Sequence, residues 1–172
     1  MKQKLLYAVL VIGTILTADI ITKRIAEAVL VHGYPIERAG IPLTLAYNTG
    51  VAFGLPLPGA GRWIIIGATF FVLFVLWGIF RRTETSDWVR LLAVQLVAAG
   101  ALGNLIDRVR WGGGVVDFIG PINLGFMHWP IFNVADMAIT SGAVLLALSM
   151  LREESAEGAK AATAILETPD AH

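Results

Sequence analysis

Trp63-Ile64-Ile65-Ile66-Gly67-Ala68-Thr69-Phe70-Phe71-Val72-Leu73-Phe74-Val75-Leu76-Trp77-Gly78-Ile79-Phe80 runs without a single charge and stops at Arg81-Arg82. At about 1.5 Å of rise per residue, a helix of this length comes close to crossing the roughly 30 Å of hydrocarbon in a bilayer. Three more apolar stretches, residues 5–22, 88–106 and 131–151, are of similar length, and basic residues follow each of them. The whole chain agrees: 56% of its 172 residues are hydrophobic and 15% are charged. An ordinary soluble domain carries about 25% charged residues. The predicted fold is an all-α polytopic membrane protein with four transmembrane helices, comprising residues 1–152, and a polar, disordered tail over 153–172.

The first apolar run could be mistaken for a cleavable leader, but a cut after Ala18 would place bulky Leu16 at the −3 position. It is therefore predicted to be a retained helix, continuing as an amphipathic turn or two through Leu30. Trp63, Trp77, Trp88, Trp111 and Trp129 fall at or near span ends, as an interfacial aromatic belt requires. The formal net charge is zero and no basic cluster occurs, so no nucleic-acid partner is expected. There are no cysteines, which excludes disulfides, thiolate nucleophiles and Cys-ligated zinc.

With four spans, loops 23–62 and 107–130 share one side of the membrane. The loop 81–87 and both termini share the other. Lys2, Lys4, Arg81, Arg82 and Arg90 crowd into short segments on the second side, which predicts a cytoplasmic N-terminus, C-terminus and tail. Loop 23–62 carries Pro35, Pro42, Pro56 and Pro58, and within it residues 41–47 alternate as a short strand before the turn Asn48-Thr49-Gly50.

The polar residues near the span ends are not scattered. Asp19 and Lys23 in the first helix, Asn104, Asp107 and Arg108 in the third, Asn133 and Asp136 in the fourth, and Asn48 and Asp117 in the loops all fall toward the extracytoplasmic side. A carboxylate inside an apolar segment is costly and marks a working site. Asp136, counted from a span starting at residue 131, lies roughly 7 Å down its helix. It shares a face with Asn133. Asp117 rides the apolar segment Val115-Val116-Asp117-Phe118-Ile119, and Gly112 to Gly114 give the backbone room to fold it back on the bundle. Asp19 and Lys23 are spaced for an i,i+4 ion pair, which suits either plain structure or a substrate contact. Asp107 could simply end its helix. Gly100 and Gly103 are read as sites of close helix packing.

Two carboxylates at one site suit hydrolysis by general acid–base catalysis. One takes a proton from water while the other, protonated, polarises the scissile carbonyl. Zincin, serine-elbow and presenilin-like signatures are all absent from the sequence.

Five segments together carry a resemblance. They are Asp19-Ile20-Ile21-Thr22-Lys23, Asn48-Thr49-Gly50-Val51-Ala52-Phe53, Ala99-Gly100-Ala101-Leu102-Gly103-Asn104-Leu105-Ile106-Asp107-Arg108, Val116-Asp117-Phe118 and Phe132-Asn133-Val134-Ala135-Asp136. In order and spacing the chain resembles the bacterial lipoprotein signal peptidases (signal peptidase II) over roughly residues 5–150, with Val51 and Ala99 as small departures. The resemblance implies an inner-membrane aspartic endopeptidase that cuts diacylglyceryl-modified prolipoproteins before the lipidated cysteine, without metal or organic cofactor. Asp117 and Asp136 would be the catalytic dyad. Asn104, Arg108 and Asn133 would position dyad and substrate, and Asp19, Lys23, Asn48 and Gly50 would shape the same site. It also implies a small extracytoplasmic β-cradle and a short helix in loop 23–62. The partners would be the prolipoprotein and membrane lipid, with the enzyme as a monomer. The rival readings are a small proton- or cation-coupled carrier and a non-catalytic assembly factor. A carrier would need polar groups running through to the cytoplasmic side, and the sequence shows only flanking charges there.

Overall fold

The computed structural model describes residues 2–32, 34–50, 61–110 and 114–167. Among the described residues there are four helices, α1 (Lys2–Val29), α2 (Gly61–Arg82), α3 (Trp88–Arg110) and α4 (Val134–Glu167); the connections after α1 and after α3 carry short strands, and the α2–α3 connection is short. All four contain segments long and apolar enough to cross a membrane. Helix α3 is the axis of the bundle: just over half of its apolar segment (56%) is buried, against 11–22% for the others. Its inward face is built from small side chains, with Ala93 and Ala99 fully buried. A Cβ on Gly100 would collide with the carbonyl oxygen of Ala135, and one on Gly103 would lie 2.6 Å from Asp19 Oδ2. These two glycines let α4 and α1 close on α3.

Both ends of the bundle are tied. At one end Lys4 Nζ donates to Thr83 O at 2.6 Å, and Arg90 pairs with Glu153 at 2.6 Å. Lys4 is itself only 5% exposed, so this end holds a buried cation and not only the flanking charges expected from the sequence. At the other end Arg62 Nε donates to Arg108 O at 2.7 Å, joining the start of α2 to the end of α3.

That second end carries the sheet. Strands β1 (Ile36–Arg38), β2 (Ile41–Asn48) and β3 (Val115–Ile119) form an antiparallel sheet in the order β1-β2-β3. Strand β2 belongs to the first loop and β3 to the second, so the sheet welds the two loops together, with Ala46 opposite Asp117. Strands β4 (Ile122–Asn123) and β5 (His128–Trp129) make a separate hairpin. A cluster of Ala26, Leu30, Leu45, Val116 and Phe118 seats the sheet on the end of α1. Trp63 and Trp88, at helix starts, are well exposed, as interfacial anchors should be; Trp111 lies outside the described residues.

Three expected boundaries move. Helix α3 runs on to Arg110, so Asp107 and Arg108 belong to its last turn instead of a loop. The fourth helix starts at Val134 and not at residue 131, because Phe132 bridges to Ile119 in an antiparallel pair. At the other end α4 stays helical to Glu167, beyond the expected end at 151 and through most of the tail expected to be disordered, because that segment is rich in Ala and Glu, both good helix formers. The two turns expected past Thr22 are the continuation of α1 to Val29. Any further part of the short helix expected in the first loop would fall on 51–60, outside the described residues.

Candidate active site

The start of α4 organises the polar cluster. Asn133 Oδ1 accepts the N–H of Asp136 at 2.8 Å, and the Asn133 N–H donates to Asp136 Oδ2 at 3.2 Å. This is a reciprocal capping box, in which the N-cap and third residue satisfy each other's orphan groups. Asp136 is thus fixed in the first turn of α4, not a turn or more down the helix. Its other oxygen accepts from Asn104 Nδ2 at 2.8 Å.

Strand alternation places the second carboxylate. Side chains of successive strand residues point to opposite faces. Val116 and Phe118 enter the apolar cluster above, so Val115 and Asp117 turn the other way and line the cleft. Asn133 Nδ2 donates to Asp117 Oδ1 at 2.7 Å and also lies 3.1 Å from Asn104 Oδ1. One buried amide therefore touches Asp117, Asn104 and Asp136. Gly114, at φ +98°, opens this strand; a Cβ there would meet the backbone of Asn48 and Thr49. Gly112 and Gly113 lie outside the described residues.

Asp117 is 3% exposed. Burial first, and then the charge of Asp136, push its carboxyl up to about 7, against hydrogen bonds from Asn133 and Asn48 and the charge of Lys23. A carboxyl at that value can be either protonated or ionised at neutral pH.

Behind the pair lies a buried ionic knot. Lys23 Nζ is 2.8 Å from Asp19 Oδ2, 2.8 Å from Asp107 Oδ2 and 3.2 Å from Asn104 Oδ1. Asp19 Oδ1 accepts the N–H of Ala135 at 2.9 Å, placing a carboxylate at the positive end of α4. Asp107 Oδ2 accepts the N–H of Val116 at 3.3 Å. Asp107 is the residue that sequence reasoning undervalued. Its spacing of i+3 from Asn104 put both on one helix face, and that was the available signal.

The predicted residues therefore divide into two layers. Asn48, Gly50, Asn104, Arg108, Asp117 and Asp136 line a cleft of about 810 Å³. Asp19, Lys23 and Asn133 lie behind it, each no more than 3% exposed. The expected turn at Asn48 is closed by Gly50 N–H donating to Asn48 Oδ1 at 3.0 Å, and Arg108 Nη2 holds Gly50 O at 3.3 Å. Away from the carboxylates the cleft is apolar, running along Ile64, Ile65 and Ala68 of α2 and Ile139 of α4.

Residues 11–152 match the family described as Signal peptidase (SPase) II. The chain belongs to the signal peptidase II family. It is 44% identical over 124 residues to the lipoprotein signal peptidase of Pseudomonas putida, an alignment covering 66% of this chain and 67% of that protein. It is 41% identical over 150 residues to that of Ectopseudomonas mendocina, covering 81% and 85%. A solved structure described as a bacterial membrane enzyme superposes with a TM-score of 0.77 at 30% identity, covering 87% of this chain and 90% of its own. As a signal peptidase II the chain is a peptidase, built as a multi-pass protein of the bacterial inner membrane. Four of the five resemblance segments meet around Asn133 and Asn104; in the fifth, Asn48 to Gly50 reach the cleft and 51–53 lie outside the described residues.

Proposed function

We propose that this signal peptidase II is an intramembrane aspartic endopeptidase with Asp117 and Asp136 as its dyad. It removes the signal peptide of diacylglyceryl-modified prolipoproteins by cutting before the lipidated cysteine. The relatives' name, lipoprotein signal peptidase, supports the substrate class. The observation that carries the dyad is that Asn133 holds both carboxylates, Asp117 through its side-chain amide and Asp136 through its backbone N–H.

Asp117, raised to about 7 by burial and by its partner, holds the shared proton and donates it toward the scissile carbonyl oxygen. Asp136, held by Asn104 and by the Asn133 N–H, takes a proton from the attacking water. The tetrahedral intermediate collapses as the leaving amine gains a proton from the dyad. Asn104 and Asn133 fix the two carboxyl groups. Arg108 ties the Asn48–Gly50 turn to α3 at the mouth of the cleft. Asp19 and Lys23 act through Asn104 and the first turn of α4, not by touching substrate.

The site would face the extracytoplasmic side, with both termini cytoplasmic, as supported by Lys4, Arg81, Arg82 and Arg90 at the opposite end of the bundle. A site in the first turn of α4 lets water reach a scissile bond drawn down to the membrane surface. The test uses purified enzyme in detergent on a lipidated prolipoprotein. Asp117→Asn and Asp136→Asn should each fold, by thermal unfolding, and cleave nothing. Cleavage by either variant would sink the dyad, and inhibition by a chelator would reopen a metal mechanism.

A further inference from the structure

The hairpin of β4 and β5 has a tip of the wrong chemistry for a water-exposed turn. Turns on soluble surfaces favour polar residues, Gly and Pro. Here the turn holds Leu124, Gly125, Phe126 and Met127, and from Phe118 to Asn133 there is no Asp, Glu, Lys or Arg. Phe126 is 84% exposed, Leu124 44%, Met127 40% and the adjoining Trp129 40%. The turn is nonetheless well built. Gly125 N–H donates to Asn123 Oδ1 at 2.8 Å, Leu124 N–H to Met127 O at 2.9 Å, and Gly125 takes φ +85°. The apolar side chains are presented by a defined backbone.

The position of the hairpin says what should cover it. It starts a few residues after β3 and ends five residues before α4, so it sits at the membrane end of two spans. The exposed surface of α2 at that same end, with Trp63 about two thirds exposed, is apolar too. Exposed apolar surface of this size next to a bilayer boundary is matched by lipid.

We propose that the 122–129 hairpin is a membrane wedge: Leu124, Phe126 and Met127 enter the bilayer leaflet beside the cleft and fix the height of its mouth. The coupling to the cleft is through backbone. Phe132 N–H donates to Ile119 O at 2.9 Å and Ile119 N–H to Phe132 O at 2.9 Å, tying the hairpin's base to the strand of Asp117. Trp129, Pro130 and Ile131 line the cleft itself. The lipid that holds the tip thereby sets the depth at which Asp117 meets a membrane-anchored substrate.

The chain has no cysteine, so a single introduced thiol gives a unique label. Phe126→Cys carrying a nitroxide is placed in liposomes of phosphatidylethanolamine and phosphatidylglycerol. Its collision rates with oxygen, which concentrates in lipid, and with an aqueous nickel chelate are read by power saturation. Glu37→Cys, on the fully exposed β1, gives the water reference, and Phe74→Cys, on the exposed face of α2, gives the lipid reference. The expected oxygen-to-nickel ratio at 126 is several-fold above that at 37 and close to that at 74. A ratio equal to that at 37 would overturn the wedge. So would low access to both reagents, which would mean protein covers the tip. Neither outcome depends on the cleavage chemistry.

Discussion

Asn133 Nδ2 lies 2.7 Å from Asp117 Oδ1, so the residue that caps the helix of one carboxylate also holds the other. Capping and dyad geometry are thus combined in one side chain, and substitution can separate them. Serine keeps an N-cap oxygen but has no amide to reach Asp117. Asn133→Ser should lose about 1–3 kcal/mol, because buried Asp117 and Asn104 oxygens lose their amide donor, while kcat falls about 100-fold or more, the scale of an ångström's misplacement in a catalytic group. Asn133→Ala should lose the same activity and, beyond the loss in Ser, about 1 kcal/mol or more of stability with the cap. Thermal unfolding alongside kcat on one substrate checks both. Equal activity in Ser and wild type would remove Asn133 from dyad positioning.

The pH behaviour follows from Asp117. Its folded value of about 7 lies above the ordinary carboxylate value of 3.8. The folded state therefore holds this proton more tightly than the unfolded chain does. Asp117's contribution to stability is full below about pH 4, declines as pH rises, and is lost once pH has passed through about 7. If the protonated form is the one that catalyses, kcat/KM should fall on the alkaline side with an apparent value near 7. In thermal unfolding, Asp117→Asn, a mimic of the neutral form, should gain on wild type at pH 8 and lose that gain at pH 5. A wild-type profile flat from pH 6 to 9 would place the shared proton elsewhere.

Among the described residues Lys23 is the cation of a buried cluster with two carboxylates, Asp19 and Asp107, each 2.8 Å from its ammonium. Removing it leaves both without their counter-charge. Lys23→Met should destabilise by about 3–5 kcal/mol, the usual penalty for breaking a buried pair from one side. Asp19→Asn keeps Lys23 paired with Asp107 and should lose clearly less. Denaturation in mild detergent separates the two, and equal losses would mean that the cluster is not acting as a charge network.

Gly103 tests how close the helices must come. Its added Cβ would lie 2.6 Å from Asp19 Oδ2 and 3.2 Å from the Ala135 side chain. Gly103→Ala should push Asp19 off the Ala135 N–H, with a loss of about 1–3 kcal/mol typical of overpacking. Gly67→Ala, where nothing lies within 4 Å, is the control and should unfold like wild type.

How much of this was legible without coordinates depended on the range of the interaction. The four spans were written in uncharged runs such as residues 63–80, because crossing hydrocarbon is a demand each segment meets alone. The gathering of Asp19, Asn104, Asp117 and Asp136 at one side followed from counting spans. The closed turn Asn48 to Gly50 was readable from its residue types. The start of α4 was misplaced because apolar Ile131 and Phe132 read as helix, whereas pairing with Ile119, distant in sequence, makes them extended. Asp107 looked like a helix end because its partners, Lys23 and the Val116 N–H, lie on other elements.

By itself, then, the sequence determined a four-span membrane protein with its carboxylates toward one face, since local hydrophobicity and residue order suffice for that. Which groups line the cleft and which stand behind it was decided only by the tertiary structure. The strand register of β3 turns Asp117 inward, the capping box pins Asp136, and the small faces of α3 let Asn133 lie between them. The capping box is local, but the strand register and the close approach to α3 depend on contacts between segments far apart in sequence, and no local pattern encodes those.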